Sequence, residues 1–285
     1  MLPSLGSIDT ILLSEDECIN FLFASGILYE SLRCDSCGGP MKKHERLHRC
    51  GKKNCRKAVS IFKDSFSSGR IKCNESLLIR YLWLCLAIHQ PIVTITGHSP
   101  NTITDYIGYY RSLVSQSCQH EQAIIGGPDV IVEMDECKLG KRKYHRGHRV
   151  DGVWIVGGVE RSEGKRIFIE PVTDRSSSTL LSVIQRNVAP GSIIYTDLWK
   201  GYSDIQRELD MVHMTVNHSL YFRDPETGVH TNTIEGTWNG LKLRMPARNR
   251  VQGIETHLFE SIWRRQNGPA LWNGLLTCLK ETRYL

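Results

Sequence analysis

Three short runs of mostly apolar residues, DVIVEMDECKL, GVWIVGGVE and RIFIEPV, follow one another between residues 129 and 172. Each is rich in β-branched side chains, and the short connections between them predict three antiparallel strands. The period then changes. Ser176 to Val188 reads as an amphipathic helix, SIIYTD as a buried strand, Trp199 to Leu209 as a helix, HMTVNH as a strand, and a further helix opens at Thr231. Three strands followed by alternating helix and strand predict a mixed α/β sheet with helices on both faces. Beyond residue 253, Leu258, Ile262 and Trp263, then Leu271, Leu275 and Leu279, recur at the spacing of packing helices.

The front of the chain has another texture. Residues 14–30 predict a helix, with Ser14 and Glu17 as a capping box and Ile19, Leu22 and Phe23 on its apolar face. Residues 31–72 are too poor in periodic apolar side chains to own a core. Residues 75–116 return to helical spacing: Leu77, Leu78, Tyr81, Leu82, Leu84, Cys85 and Ile88 form one element, and Pro91 can start a short second one. Gly97 breaks it, and Ser99 followed by Pro100 opens a third. That order is the plan of a helix-turn-helix, with Asn101, Thr102, Thr104 and Asp105 near the start of its last helix and Ile103, Ile107 and Leu113 available for packing. Gly126, Gly127 and Pro128 mark the next boundary. The expected division is a helix over 1–30, a small module over 31–72, a helical region over 73–125, the α/β part over 126–250 and packing helices over 251–285.

Charge sharpens this division. The chain carries a net +6, yet residues 33–72 alone hold twelve Lys/Arg against three Asp/Glu, so the remainder is slightly acidic. A basic front on a near-neutral body suits a polyanion partner, because Lys and Arg displace counterions from phosphates. The ten cysteines would suit a secreted disulfide framework only with an export signal. Glu15, Asp16 and Glu17 stand where such a signal is apolar, and the run Tyr81 to Ile88 is far shorter than the ~20 residues of a membrane span. A soluble, reducing setting is therefore expected, with cysteines as metal ligands or buried thiols. Cys34, Cys37, Cys50 and Cys55 present C-x2-C and C-x4-C pairs, the donor set of a tetrahedral structural zinc that supplies folding energy to a coreless segment. His44 or His48 could stand in for one of them. Around the second pair, Lys52, Lys53, Arg56 and Lys57 are placed to grip phosphates. Cys18, Cys73, Cys85, Cys118, Cys137 and Cys278 lack such spacing and read as small hydrophobes.

Three carboxylates stand out in the α/β part. Asp135 lies late in the first strand, Asp197 ends SIIYTD, and Glu235 falls in the first turn of the helix after Thr231. Sites in open sheets gather at the carboxyl ends of strands. Carboxylates brought together repel unless hard cations such as Mg²⁺ or Mn²⁺ intervene, and two such ions about 3.5–4 Å apart can serve both oxygens of a phosphoryl transfer. The row that follows Asp135, with Lys138, Lys141, Arg142, Lys143, His145, Arg146 and Arg149, would hold the phosphodiester. Plainer roles compete: Asp197 can cap the helix after it, Glu235 can complete a capping box with Asn232, and Glu133 or Glu136 can replace Asp135 as ligand. Alternation puts Glu133 on the face of Asp135 and Glu136 on the other.

MDECKLGKRKYHRGHR, YTDLWKGY and HTNTIEGTWNGLK together resemble the DDE transposases of the ISXO2-like group and their eukaryotic relatives, the Merlin elements. The likeness extends to an N-terminal zinc ribbon resembling CDSC to CGKKNC and a helical DNA-binding region, and DPETGVHTNTIEGTWNGLK is closer to the Merlin type. The resemblance implies an RNase H-like fold and a catalytic triad on Asp135, Asp197 and Glu235. It also implies two Mg²⁺ or Mn²⁺ ions, a structural Zn²⁺, and cleavage and strand transfer at transposon terminal repeats. Partners would be terminal-repeat and target DNA and a second copy of the chain, in a nucleus if the source is eukaryotic. Trp199 and Trp238 would brace the site or stack on a base, and His218 and His230 could move protons.

Overall fold

A computed structural model describes residues 2–120, 124–140, 152–245, 250 and 253–282, the last two residues of the first stretch by backbone alone. The chain forms two compact units, Met1–Val114 with Asn267–Leu285, and Ser115–Gln266.

The first unit opens with α1 (Leu5–Leu13), for which the sequence reading had no element, and α2 (Glu15–Ala24), whose Ser14 hydroxyl accepts the Glu17 amide at 3.4 Å. Next comes an antiparallel meander, β1 (Ser31–Arg33), β2 (Pro40–His44), β3 (Leu47–Cys50) and β4 (Ala58–Ser60). Its buried side chains include Cys34, Met41 and Cys50, which confirms that it owns almost no apolar interior. Three helices follow: α3 (Cys73–Leu84), α4 (His89–Thr96) and α5 (Pro100–His120). Gly97 ends α4 at φ 70°, a left-handed cap that glycine adopts without a Cβ clash. Ser99 then caps α5, its hydroxyl accepting the Thr102 amide at 3.1 Å. Ile103, Tyr106, Tyr110 and Leu113 bury one stripe of α5 while Asn101, Thr104 and Asp105 face solvent.

The second unit is built on a five-stranded mixed sheet. A short β5 (Ile125–Gly126) precedes β6 (Ile131–Lys138), β7 (Trp154–Glu160) and β8 (Ile167–Val172). Helix α6 (Ser177–Asn187) then leads through β9 (Val188–Ala189), which pairs with β5, into β10 (Ile193–Asp197). The predicted helix from Trp199 shortens to a 3-10 turn at Lys200–Tyr202 and α7 (Ile205–Leu209), stopped by Asp210 at φ 52°. After β11 (Val212–Val216) come α8 (Asn232–Arg244) and α9 (Glu255–Gln266); α10 (Leu271–Glu281) returns to the first unit.

In space the order is β11-β10-β6-β7-β8. The first three strands of the chain's sheet, β6, β7 and β8, run antiparallel, and β10 and β11 lie parallel to β6 on its other side. Val132, Met134, Val156, Phe168 and Ile194 point to one face and pack under Leu180, Val183 and Ile184 of α6 and Ile205 of α7. α8 covers β6 and β7 on the opposite face, and α9 packs on β8. Helices therefore cover both faces, as the pattern predicts. Among the described residues no helix is long and apolar enough to cross a membrane.

Candidate functional site

Chain order reverses at β6: the next strand, β7, lies on one side, and the later crossover through α6 delivers β10 to the other. Such a switch point opens a crevice at the carboxyl ends of parallel strands. The β6–β10 register pairs Ile193 with Ile131, Ile194 with Val132 and Tyr195 with Glu133. The pairing ends there; Asp135 and Asp197 each lie two residues further along their strands, on the α8 side of the sheet, and the Asp197 charge reaches Asp135.

Asp135 is held from two directions. Its Oδ1 accepts the Glu136 amide at 2.8 Å, and its Oδ2 accepts Trp238 Nε1 at 3.0 Å. Burial and then the Glu136 carboxylate push Asp135 up to about 7, against the pull of those two donors, and Asp197 adds to the push. Among the described residues no cationic side chain pairs with it. Asp197 does not cap a helix, since none begins at Leu198 or Trp199; its Oδ1 accepts the Trp199 amide at 2.9 Å in a local turn. Glu235 lies one turn before Trp238 on α8, so the two share a helical face. The expected box with Asn232 does not form, because α8 already begins at Asn232; Glu235 instead accepts the Thr231 hydroxyl at 3.1 Å and lies 3.4 Å from His218 Nε2.

Neighbouring acids divide by role. Glu133 shares the Asp135 face as alternation predicts, but it is no candidate ligand. It is fully buried and accepts Arg161 Nε at 2.6 Å, the Thr233 amide and hydroxyl at 2.8 Å each, and the Ile234 amide at 3.1 Å. Those amides belong to the first turn of α8, where unpaired N–H groups and the helix dipole favour a carboxylate. Glu136 points to the other face, accepting Tyr202 Oη at 2.8 Å and Arg175 Nη1 at 3.0 Å. His230 is pinned by Arg161, which donates to its Nδ1 at 2.9 Å; burial and then the Arg161 charge lower its pKa. Trp199 and Trp238 act as braces, one stacked on Arg175 and the other bonded to Asp135.

Among the described residues, the group whose ligand atoms all lie within 4.8 Å of one another is Cys34, Cys37, Cys50 and Cys55; the three acids do not form such a group. Cys34 Sγ lies 3.6 Å from Cys55 Sγ, and Cys37 Sγ 3.4 Å from Cys50 Sγ. A tetrahedral zinc with bonds of about 2.3 Å needs sulfurs about 3.8 Å apart, so the cysteines fit that ion. His44 is exposed on β2; His48 is buried with both ring nitrogens unbonded, and neither joins the cluster. Lys52, Lys53, Arg56 and Lys57 are all exposed, though Lys52 donates to the Cys37 carbonyl at 3.0 Å and Lys57 to the Ser36 hydroxyl at 3.1 Å. Two of the four cations are thus tied back to the first cysteine loop. Lys138 is exposed at the end of β6, its ammonium 5.3 Å from the Trp154 ring. Lys141, Arg142, Lys143, His145, Arg146 and Arg149 lie outside the described residues.

A mixed α/β unit with acids at its switch point, joined to a four-cysteine module and a set of helices, is the class of protein these features define. Residues 122–258 match the ISXO2-like transposase domain model. An uncharacterized transposase-like protein of Haemophilus influenzae is 31% identical over 104 residues, spanning 36% of this chain and 82% of that protein. The chain belongs to the ISXO2-like transposase family. Among solved structures, the catalytic core domain of BIV integrase aligns with 47% of this chain and 81% of its own at 14% identity and a TM-score of 0.32. A pre-cleavage Mos1 transpososome aligns with 74% of this chain and 79% of its own at 9% identity and a TM-score of 0.22. Scores this low define no fold; the strand order above does.

Proposed function

We propose that this chain cuts and joins DNA at transposon terminal repeats, using Asp135, Asp197 and Glu235 to hold divalent metal. The observation that carries the reading is that Asp135 of β6 and Asp197 at the end of the parallel β10 share the α8 side of the sheet, close enough for the Asp197 charge to push the Asp135 pKa up, with no cationic side chain among the described residues paired to Asp135. Carboxylate oxygens on these elements suit Mg²⁺ or Mn²⁺. When bound, such ions supply Lewis-acid activation of the attacking oxygen and charge stabilisation of the leaving one. The chain's own residues do the rest. Trp238 orients Asp135, the Trp199 amide orients Asp197, and Arg175 with Tyr202 holds Glu136 on the far face, where it does not compete. Glu235 completes the set by leaving Thr231 and His218.

Three strands antiparallel, with two more added parallel beside the first, support an RNase H-like core. The basic zinc module and helices α3 to α5 support selection of the terminal repeat, the first through phosphates and the second through base edges. The segment DPETGVHTNTIEGTWNGLK supports the Merlin type, and with it a nuclear site of action, which imaging of a tagged chain in eukaryotic cells tests. Work on two ends calls for at least two copies of the chain, read by light scattering with and without end DNA.

The central test is incubation of the protein in Mg²⁺ or Mn²⁺ with duplex DNA taken from the sequence flanking this reading frame. Cuts at defined positions near the repeat, lost in Asp135→Asn, support the proposal. Binding without cutting by the wild type would instead identify a DNA-binding regulator, and cutting indifferent to the repeat a cellular nuclease.

A further inference from the structure

Sequence patterning singles out cations on the ribbon and after β6, yet among the described residues a cation fixed near the strand ends, on the Glu136 face of the sheet, is Arg175, in the loop between β8 and α6. Its backbone is fixed. The neighbouring Asp174 carboxylate accepts the Ser176 amide at 2.8 Å, the Ser176 hydroxyl at 2.6 Å and the Thr179 hydroxyl at 2.8 Å, which fastens the loop to the start of α6. The Trp199 indole donates to the Arg175 carbonyl at 3.5 Å. The guanidinium itself is sandwiched between two indoles, 4.1 Å from the Trp154 ring and 4.3 Å from the Trp199 ring.

Both supports are chained to the two strand-end acids. Glu136, which accepts Arg175 Nη1, follows Asp135 directly, and Trp199, which stacks on Arg175, donates its amide to Asp197. Glu136 is 4% exposed while Arg175 stays 30% exposed, so the pair is open only on the arginine side. Among the described residues, Arg175 Nε and Nη2 have no hydrogen-bond acceptor. Stacking removes most of the rotamer freedom an arginine surrenders on binding, and the planar fork matches two phosphate oxygens. An arginine wanted only to neutralise Glu136 needs neither a double stack nor spare donors facing solvent.

We infer that Arg175 is a phosphate-binding residue, gripping the DNA backbone where it passes the Glu136 face of the strand ends. The inference rests on the proposal that DNA occupies the crevice. Its rival is that Arg175 merely balances Glu136, and the charge-neutral double variant Glu136→Gln with Arg175→Gln separates the two. Binding of a nicked duplex carrying the flanking DNA is measured by anisotropy in EDTA across a salt series. A phosphate contact predicts that the double variant binds about five- to tenfold more weakly at low salt. The slope of log Kd against log salt then falls by about 0.7–0.9, the share of one phosphate. Wild-type affinity and slope in the double variant would overturn the inference.

A second measurement needs no variant: the duplex should protect Arg175 of the wild-type protein from phenylglyoxal, read by mass spectrometry. Equal modification with and without DNA also overturns it. Because both readings are taken without metal, they stand apart from the cleavage test. An enzyme that cuts DNA yet shows no Arg175 contact sinks this inference alone, and a contact without cutting sinks only the proposed chemistry.

Discussion

Replacing Gly157 by alanine asks whether Trp238 is what keeps Asp135 in place. Gly157 stands opposite Asp135 in β7, and a methyl group there would meet Trp238 Cη2 at 2.6 Å and the Phe168 carbonyl oxygen at 2.9 Å. Carbon atoms rest about 3.5–4.0 Å apart, so the indole must retreat by about 1 Å. Its other edge carries the Nε1 that bonds Asp135 Oδ2 at 3.0 Å. A retreat of that size takes the pair out of hydrogen-bonding range. Overpacking of this kind costs about 1–3 kcal/mol, and in a unit of this size that lowers the melting midpoint by about 3–10 °C. Misplacing a reactive carboxylate by about 1 Å costs about 100-fold in rate. Thermal unfolding and the Mg²⁺-dependent cleavage assay read the two effects separately. Adding Trp238→Phe relieves the collision with the indole, though not the one with the Phe168 carbonyl, and it supplies no donor to Asp135. The double variant should therefore recover part of its melt, the Phe168 carbonyl contact remaining, while cleavage stays low. A Gly157→Ala protein that melts and cuts like the wild type would refute the reasoning, since the indole would then be able to yield at no cost.

Three further outcomes follow from the same structure. Glu133→Gln leaves Arg161 half-paired and weakens the cap of α8; disrupting a buried pair costs about 3–5 kcal/mol, to be read in denaturant unfolding with its midpoint shifted at unchanged slope. At Glu160, burial acts to raise the pKa but is outweighed by Arg166, the Ser162 hydroxyl and the Gly126 amide, which hold it at about 2. A depressed carboxylate stabilises the fold above its unfolded value near 4.5 and loses that contribution as pH falls toward 2, so unfolding free energy should drop by about 2–3 kcal/mol across that window, and by visibly less in Glu160→Gln. Stripping zinc with a chelator, or Cys34→Ser, should unfold residues 31–60 while the circular dichroism of the second unit persists; a four-cysteine module that stays folded without metal, by hydrogen exchange, would contradict the zinc assignment.

What the sequence made legible is what is local. The strands of the mixed sheet, the Ser99 cap, the Gly97 break and the cysteine knuckles are each written within a few adjacent residues. The shared face of Glu133 and Asp135 could be read for the same reason, since strand alternation needs no partner. Their different fates could not, because what occupies Glu133 is the start of α8, with Thr233 a hundred residues away in the chain. Arg175 was invisible on similar grounds: in VTDRSSSTL it looks like one more polar residue before a helix N-cap, and its two indoles come from positions 154 and 199. Helical spacing over Trp199–Leu209 overstates α7, because Gly201, Ser203 and Asp204 turn the chain before the helix starts at Ile205. The acids themselves were placed correctly along their elements, but their mutual distance depends on side-chain contacts such as Thr231 and His218 on Glu235, which no periodicity encodes.

The first unit is assembled from two stretches of chain with the whole second unit threaded between them. Trp272 of α10 packs against Phe21 and Tyr81, with ring centroids 6.3 and 6.2 Å apart. During synthesis that apolar surface on α2 and α3 has to wait, uncovered, until every strand of the sheet has emerged from the ribosome. Of the two units, the one whose synthesis starts earlier is therefore the last to close, and a chain broken off anywhere in the second unit leaves the first unsealed and aggregation-prone.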